Sequence, residues 1–336
     1  MNMLNYKKLT FVLIFISIIS INIVKADESM LKNKPYFTLR IDTKGASYEA
    51  KINGIAVLRD VRDASMLNTV IPVNQYMKSG SNTISLNLFP EYEGGFKSAN
   101  ISLSLYVNKD EAPESEKKLL SNIVFTGAEH TKGTGIESSM PAMRLNSTDQ
   151  MKKSDNGDVI VHIASIEPAK IMPDAITISQ KIELETPFPR WGYLDGDELD
   201  FPENYKDYLN NKDLYKKSII NPLYQEYQNI HDLMASNDLD AVMDLFKERN
   251  QEYDTAYYYP KGTYDKKLRD SLSGDLKFLK LLIRESKKAA PLISDDRKLF
   301  KLGNVGMIYF TNDKKSTFNN YDIIFYKKDG KWIVSR

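Results

Sequence analysis

Residues 321–336 read Tyr321-Asp322-Ile323-Ile324-Phe325-Tyr326-Lys327-Lys328-Asp329-Gly330-Lys331-Trp332-Ile333-Val334-Ser335-Arg336. Asp322 to Tyr326 and Trp332 to Val334 are β-rich runs, and Asp329-Gly330 between them is the dipeptide a two-residue hairpin turn favours, because both turn positions need positive φ. Two strands alone are marginal in water, so a hairpin with an aromatic on each arm must lay one face on something apolar. The amphipathic stretches just upstream supply that surface.

Those stretches carry helical periodicity. Asn221-Pro222 predicts a helix start, with Asn as the cap and Pro at the first helical position. Leu223, Tyr227, Ile230 and Met234 then share one face. Asn237-Asp238 ends this helix and caps a second, whose stripe is Leu239, Val242, Met243 and Phe246. A third helix is predicted from Thr263 to about Lys288, with Leu268, Leu272, Leu276, Leu279 and Ile283 inward. After Pro291 the pattern turns to strands at Gly306 to Phe310, Tyr321 to Tyr326 and Lys331 to Val334. Residues 221–336 are thus expected to form an α+β domain, helices first and an antiparallel sheet after them.

Two stretches here resemble a known family. Met234-Ala235-Ser236-Asn237-Asp238-Leu239-Asp240-Ala241-Val242-Met243-Asp244-Leu245-Phe246 looks like the elbow joining the first two helices of the nuclear-transport-factor-like cone fold, which includes the SnoaL-like cyclases. Tyr326 to Val334 is similar to its final hairpin. The resemblance implies a cone-shaped domain, and enzymes of that family place a His-Asp or Asp-Arg-Asp group inside the cone. This region offers only His231, on the first helix, with Asp254 and Asp322 as carboxylate partners. A solvent-edge or hydrogen-bonded core histidine explains the same position, and no catalytic residue carries over from the family.

From Pro35 onward the first half alternates with period two. Tyr36 to Ile41, Tyr48 to Ile52, Ile55 to Leu58, Met66 to Val73, Thr83 to Leu88 and Asn100 to Val107 are strand runs, and Asn53-Gly54 supplies a hairpin turn. Val159 to Ile163 and Ala175 to Leu184 bring the set to about eight, the signature of an antiparallel sandwich or jelly roll. Between Asp110 and Gly157 the signal gives way to Gly, Ser and Thr, which predicts long loops with one strand at Asn122 to Phe125. Ile52-Asn53-Gly54-Ile55, Ile71 to Met77 and Gly80 to Ile84 resemble the accessory jelly-roll modules of exported bacterial proteins. Some such modules bind glycans, and others only pack. The expected layout is therefore multidomain: an all-β sandwich over 27–189, a linker over 190–220 and the α+β domain over 221–336.

Asn5 to Ala26 reads as a signal peptide, with Lys7 and Lys8 before an apolar run and cleavage expected after Ala26. An uncleaved anchor is the alternative, since about 16 apolar-dominated residues approach the lower limit for a span. Cys is absent, which excludes disulfides, thiol nucleophiles and thiolate metal sites, and export without cysteine suits a bacterial periplasm. The formal charge is +1, and removing Lys7, Lys8 and Lys25 with the first 26 residues leaves 43 basic against 45 acidic residues, a charge of −2. Near-neutrality gives no footprint for nucleic acid or for stable attachment to an anionic membrane.

Pro187, Pro189 and Pro202 bracket an acidic string in which Asp195, Asp197 and Asp200 are alternative calcium ligands, but the EF-hand spacing is missing and a solvated acidic linker is the better reading. Trp191 is the residue expected to dock this linker on a domain. Tyrosine is abundant, 20 in all, and Tyr257-Tyr258-Tyr259 must face both ways if extended. These rings are candidates for binding a partner, as tyrosine is at interfaces generally, or for closing the mouth of the cone. No nucleophile elbow, phosphate loop, dinucleotide fingerprint or metalloprotease helix occurs, and no cofactor is expected. The sum is an expectation of a periplasmic protein that works by binding. Its concrete form is an immunity-type inhibitor of a toxic effector, such as one delivered by type VI secretion. A cone-fold hydrolase or isomerase using His231 and Asp322, and a glycan-binding module, are the alternatives.

Overall fold

The computed structural model describes residues 34–45, 47–60, 66–90, 95–130, 152–153, 160–168, 175–202, 205–289, 291–303 and 306–336. The signal segment 1–26 and most of the loop region between Asp110 and Gly157 lie outside them. The first lobe holds β1 (Pro35–Lys44), β2 (Ser47–Ile52), β3 (Ile55–Asp60), β4 (Leu67–Pro72), β5 (Gly80–Phe89), β6 (Asn100–Lys109), β7 (Lys118–Thr126), β8 (Lys152–Lys153), β9 (Ile160–Pro168) and β10 (Ile176–Leu184). They form two antiparallel sheets, ordered β4-β1-β6-β7 and β3-β2-β5-β10-β9-β8. The alternation read in the sequence decides which side chains enter the space between them: Leu39 and Ile41, Leu103 and Leu105, Ile84 and Leu86, Ile178 and Ile182 are all buried. The strand expected at Asn122 to Phe125 is longer, β7, and sits at the sheet edge beside β6.

The Asn53-Gly54 hairpin is present, with both residues at positive φ. The Asn53 carboxamide also ties three segments together, donating to Tyr76 O (2.9 Å) and Asn82 Oδ1 (3.0 Å) and accepting from Thr83 N (2.9 Å).

The second lobe begins with short helical turns at Tyr205–Asn210 and Lys212–Tyr215 and continues through a π-helical turn, Lys216–Ile220, into α1 (Asn221–Ala235). Asn221 is therefore not a cap. It is already helical, and the residue before it is too (φ −67°, ψ −48°). Pro222 cannot donate to the preceding turn and its ring crowds the carbonyl four residues back, and a widened π turn upstream relieves both. The predicted stripe of Leu223, Tyr227, Ile230 and Met234 is buried. Asp238 caps α2 (Leu239–Ala256) by accepting from Ala241 N at 3.2 Å, as its position predicts.

The third helix, α3 (Thr263–Phe278), stops earlier than periodicity suggests. Leu279 turns extended, and 280–283 form β11 (Lys280–Ile283), paired with β14 (Ile308–Thr311). A strand partner 28 residues downstream is invisible to a local pattern, and it outweighs the helical one. β11 and β14 join β15 (Phe318–Tyr321) in a sheet ordered β11-β14-β15. A second sheet, β12-β13-β16-β17, holds β12 (Pro291–Ile293), β13 (Leu299–Leu302), β16 (Phe325–Lys328) and β17 (Lys331–Val334). The run 321–326 read as one strand is thus shared between two sheets, and Ile324 bridges instead to the chain end: Ile324 N donates to Arg336 O and Ser335 N to Ile324 O, both at 2.8 Å. The Asp329-Gly330 turn has positive φ at both residues, and β16 and β17 pair across it in the expected register.

The two lobes share a core. One apolar cluster runs from the sandwich through Phe188, Trp191 and Tyr193 into Tyr253, Ala256, Tyr257, Leu299 and Tyr326. A separate cluster, centred on Tyr227, Phe246, Phe300, Phe310 and Phe325, belongs to the second lobe. The 190–202 segment is packed at its apolar positions, with Trp191, Tyr193, Leu199 and Phe201 buried and Asp195, Asp197, Glu198 and Asp200 exposed. Among the described residues no helix is long and apolar enough to cross a membrane.

Candidate functional site at the seam between the lobes

The tyrosines singled out in the sequence lie on the seam. α2 ends at Ala256, Tyr258 takes a left-handed conformation (φ +58°), and the buried Asp254 carboxylate accepts from Gly262 N (2.7 Å) and Tyr264 N (2.8 Å). This fixes the turn between α2 and α3 and with it the direction of all three rings. Tyr257 is buried against Tyr36 (ring centroids 5.9 Å apart) and donates its hydroxyl to Gln75 Oε1. Burial, reinforced by the neighbouring Tyr253, pushes that hydroxyl well above the usual tyrosine range. Tyr258 donates to Pro35 O at 3.0 Å and stacks on Phe188 at 6.3 Å. Tyr259, 39% exposed, stacks on Tyr257 at 6.0 Å and carries the Lys267 ammonium 3.9 Å from its ring.

Two of the three rings therefore fasten the lobes, and the third, Tyr259, stays partly exposed. Together with Tyr36 and Pro260 they line a groove of about 640 Å³ that also carries the charged Lys34, Lys117, Asp110, Glu111 and Glu114. Thr38, buried and lining the same groove, has a hydroxyl without a hydrogen-bond partner.

Trp191 is fully buried and donates Nε1 to Met77 O at 2.6 Å, so the residue expected to dock the connecting segment does so on the sandwich. Beside it the Arg336 guanidinium is buried, 5.4 Å from the Trp191 ring and 5.1 Å from the Tyr193 ring, and paired with Glu252. Gly192 N donates to the other Glu252 oxygen at 2.6 Å. Burial pushes the Tyr193 hydroxyl up to about 12, although Arg336 opposes the shift.

The other predicted residues go to separate partners. His231 Nδ1 lies 3.0 Å from Asp232 Oδ1, its own neighbour on α1. Asp322 accepts from Lys301 Nζ at 2.5 Å. Asp195 is held by Arg190 Nε at 2.7 Å, which keeps its carboxyl below the usual range. Asp197 donates its backbone N–H to Lys327 O at 2.7 Å, and Asp200 stays exposed. Among the described residues, no three His, Asp or Glu side chains stand close enough to hold a metal ion.

A second cleft was not legible in the sequence. It lies where the β2–β3 hairpin of the first lobe meets β12 and β13 of the second; it is partly open to solvent and holds about 110 Å³. Ile55 and Ala56 form one wall and Leu292 and Ile293 the other, with Phe201, Tyr208 and Phe300 behind them. Phe201 meets Phe300 edge-on at 5.2 Å and Tyr208 at 5.5 Å. Lys51, from the first lobe, and Lys301, from the second, line the same space, as does Glu49. Glu49 is buried and accepts from Asn87 Nδ2 at 2.9 Å. The sole local signal for this cleft was the Asn53-Gly54 turn, whose tip docks on Asp295. No protein-family model matches this chain, and neither does any curated protein or solved structure.

Proposed function

We propose that this is a periplasmic recognition protein, working by binding a protein partner without making or breaking bonds. In its concrete form it is an immunity-type inhibitor of a toxic effector delivered into the bacterial envelope. The finer architecture in this reading is a jelly-roll sandwich joined to a nuclear-transport-factor-like cone. The observation that supports it is the seam. Two lobes share one apolar core, so their surfaces are held in fixed relation, and the exposed Tyr259 lies beside a charged groove there. The two groups that would serve as acid and base, His231 and Asp322, are engaged with Asp232 and Lys301 rather than with each other.

The test is direct. The chain from Asp27 onward is mixed with the product of the adjacent gene, and complex formation is followed by light scattering, with growth of cells expressing that product in the periplasm as the second readout. A defined complex and restored growth are expected, both weakened by Tyr259→Ala. No complex and no protection would sink the proposal.

A further inference from the structure

We infer that the cleft between the β2–β3 hairpin and the β12–β13 strands is a binding site for a small apolar carboxylate, a single ring or branched chain carrying one anionic group. This does not rest on the immunity reading.

Size comes first. About 110 Å³ is the class of cavity that accepts one benzene-sized ring, and far less than a long acyl chain requires. The walls suit such a ring. Ile55, Ile293 and Leu299 are aliphatic, and Phe201 and Phe300 present an edge-on aromatic pair.

The charged group follows from Lys51. Its side chain is 11% exposed, and it pairs with Glu49 Oε2 at 3.5 Å, an oxygen that already accepts from Asn87 at 2.9 Å. An ammonium has three donors, and 3.5 Å is beyond the range of a good N–H···O bond. A largely covered cation with donors to spare therefore lines a mostly apolar cleft, an arrangement that an incoming carboxylate completes. Lys301 lines the cavity from the other lobe and is neutralised by Asp322. Glu49 also lines it, but Asn87, Lys51 and Arg59 (3.6 Å) surround that carboxylate. A cationic ligand would be repelled by the Lys51 ammonium, while Glu49 is already held by other groups, and is disfavoured.

Calorimetric titration of the chain from Asp27 onward with sodium 3-phenylpropanoate tests the assignment. Saturable binding in the millimolar range is expected for a ligand of this size. Lys51→Met should weaken it at least about tenfold, the loss of one charge-assisted contact, and Ala56→Phe, which fills the cavity, should abolish it. Magnetisation transfer from the ligand ring to the Ile55 and Ile293 methyl groups gives a readout that needs no variant. Acetyl-glycyl-phenylalanine with a free carboxylate, compared with its amide, separates a peptide terminus from a free small acid as the source. Equal binding by the uncharged 3-phenylpropan-1-ol would overturn the inference. So would retained affinity in Lys51→Met or Ala56→Phe, or no saturable binding below about 10 mM.

Discussion

The carboxamide of Asn74 reaches across the seam and donates to the carbonyl of Ala256 at 2.7 Å, joining the last turn of α2 to the sandwich. The same side chain accepts from Phe37 N (2.6 Å) and donates to Pro35 O (3.0 Å), and it is fully buried. Removing it orphans polar groups in both lobes. Asn74→Ala is expected to cost about 2–4 kcal/mol, since each stranded buried partner loses its hydrogen bond without regaining water. Urea unfolding followed by the emission of Trp191 and Trp332 measures it, and a loss below about 0.5 kcal/mol would show that the bridge is not a fastening.

Arg336 and Glu252 form the second fastening. The guanidinium is buried between two aromatic rings, so truncating it leaves Glu252 without its counter-charge inside the seam. Arg336→Met is expected to lose about 2–4 kcal/mol. Arg336→Lys should recover only part of that, because an ammonium does not reproduce the guanidinium's contacts with the Trp191 and Tyr193 rings. Both losses should change little between low and high salt, in contrast to a surface pair, since buried charges are poorly screened.

Gly54 sets how closely the β2–β3 hairpin approaches the second lobe. Its φ is +77°, and an added Cβ would stand 2.2 Å from Asp295 N. Gly54→Ala therefore combines a left-handed strain with a clash against backbone. A loss of about 1–3 kcal/mol is expected, and the aromatic carboxylate should bind more weakly as the cleft is forced open. Unchanged thermal unfolding of this variant would contradict the close approach.

The buried tyrosines make stability pH-dependent on the alkaline side. Burial pushes the hydroxyls of Tyr48, Tyr193 and Tyr264 up to about 12, against an ordinary value of 10.0. The folded state therefore holds protons that the unfolded chain releases near pH 10. Stability from this source is fully present below pH 10 and is lost as pH rises towards 12. Absorbance titration at about 295 nm should show exposed tyrosines ionising near the ordinary value and a later step coincident with unfolding. A single step near pH 10 with the fold intact would refute the burial of these groups.

Local chemistry and periodicity made several elements legible. Asn53-Gly54 and Asp329-Gly330 announce their turns because positive φ at two consecutive positions is cheap for few residue pairs. Asp238 announces the start of α2, and Leu223, Tyr227, Ile230 and Met234 announce the buried face of α1. The tyrosine run was visible as chemistry that needed a place. The end of α3 and the division of 321–326 between two sheets were not visible, because the β14 and β13 partners lie far along the chain.

The sequence by itself determined the alternating strands, the helical faces, the turns and the absence of cysteine, all properties of residues within a few positions of one another. Only the tertiary structure decided that Tyr257 and Tyr258 are spent joining the lobes while Tyr259 remains exposed. It alone placed Lys51 and Lys301, 250 positions apart, around one apolar cavity. Such meetings depend on how two cores dock, and the free energy of docking belongs to surfaces assembled from many segments, which no single stretch of chain encodes.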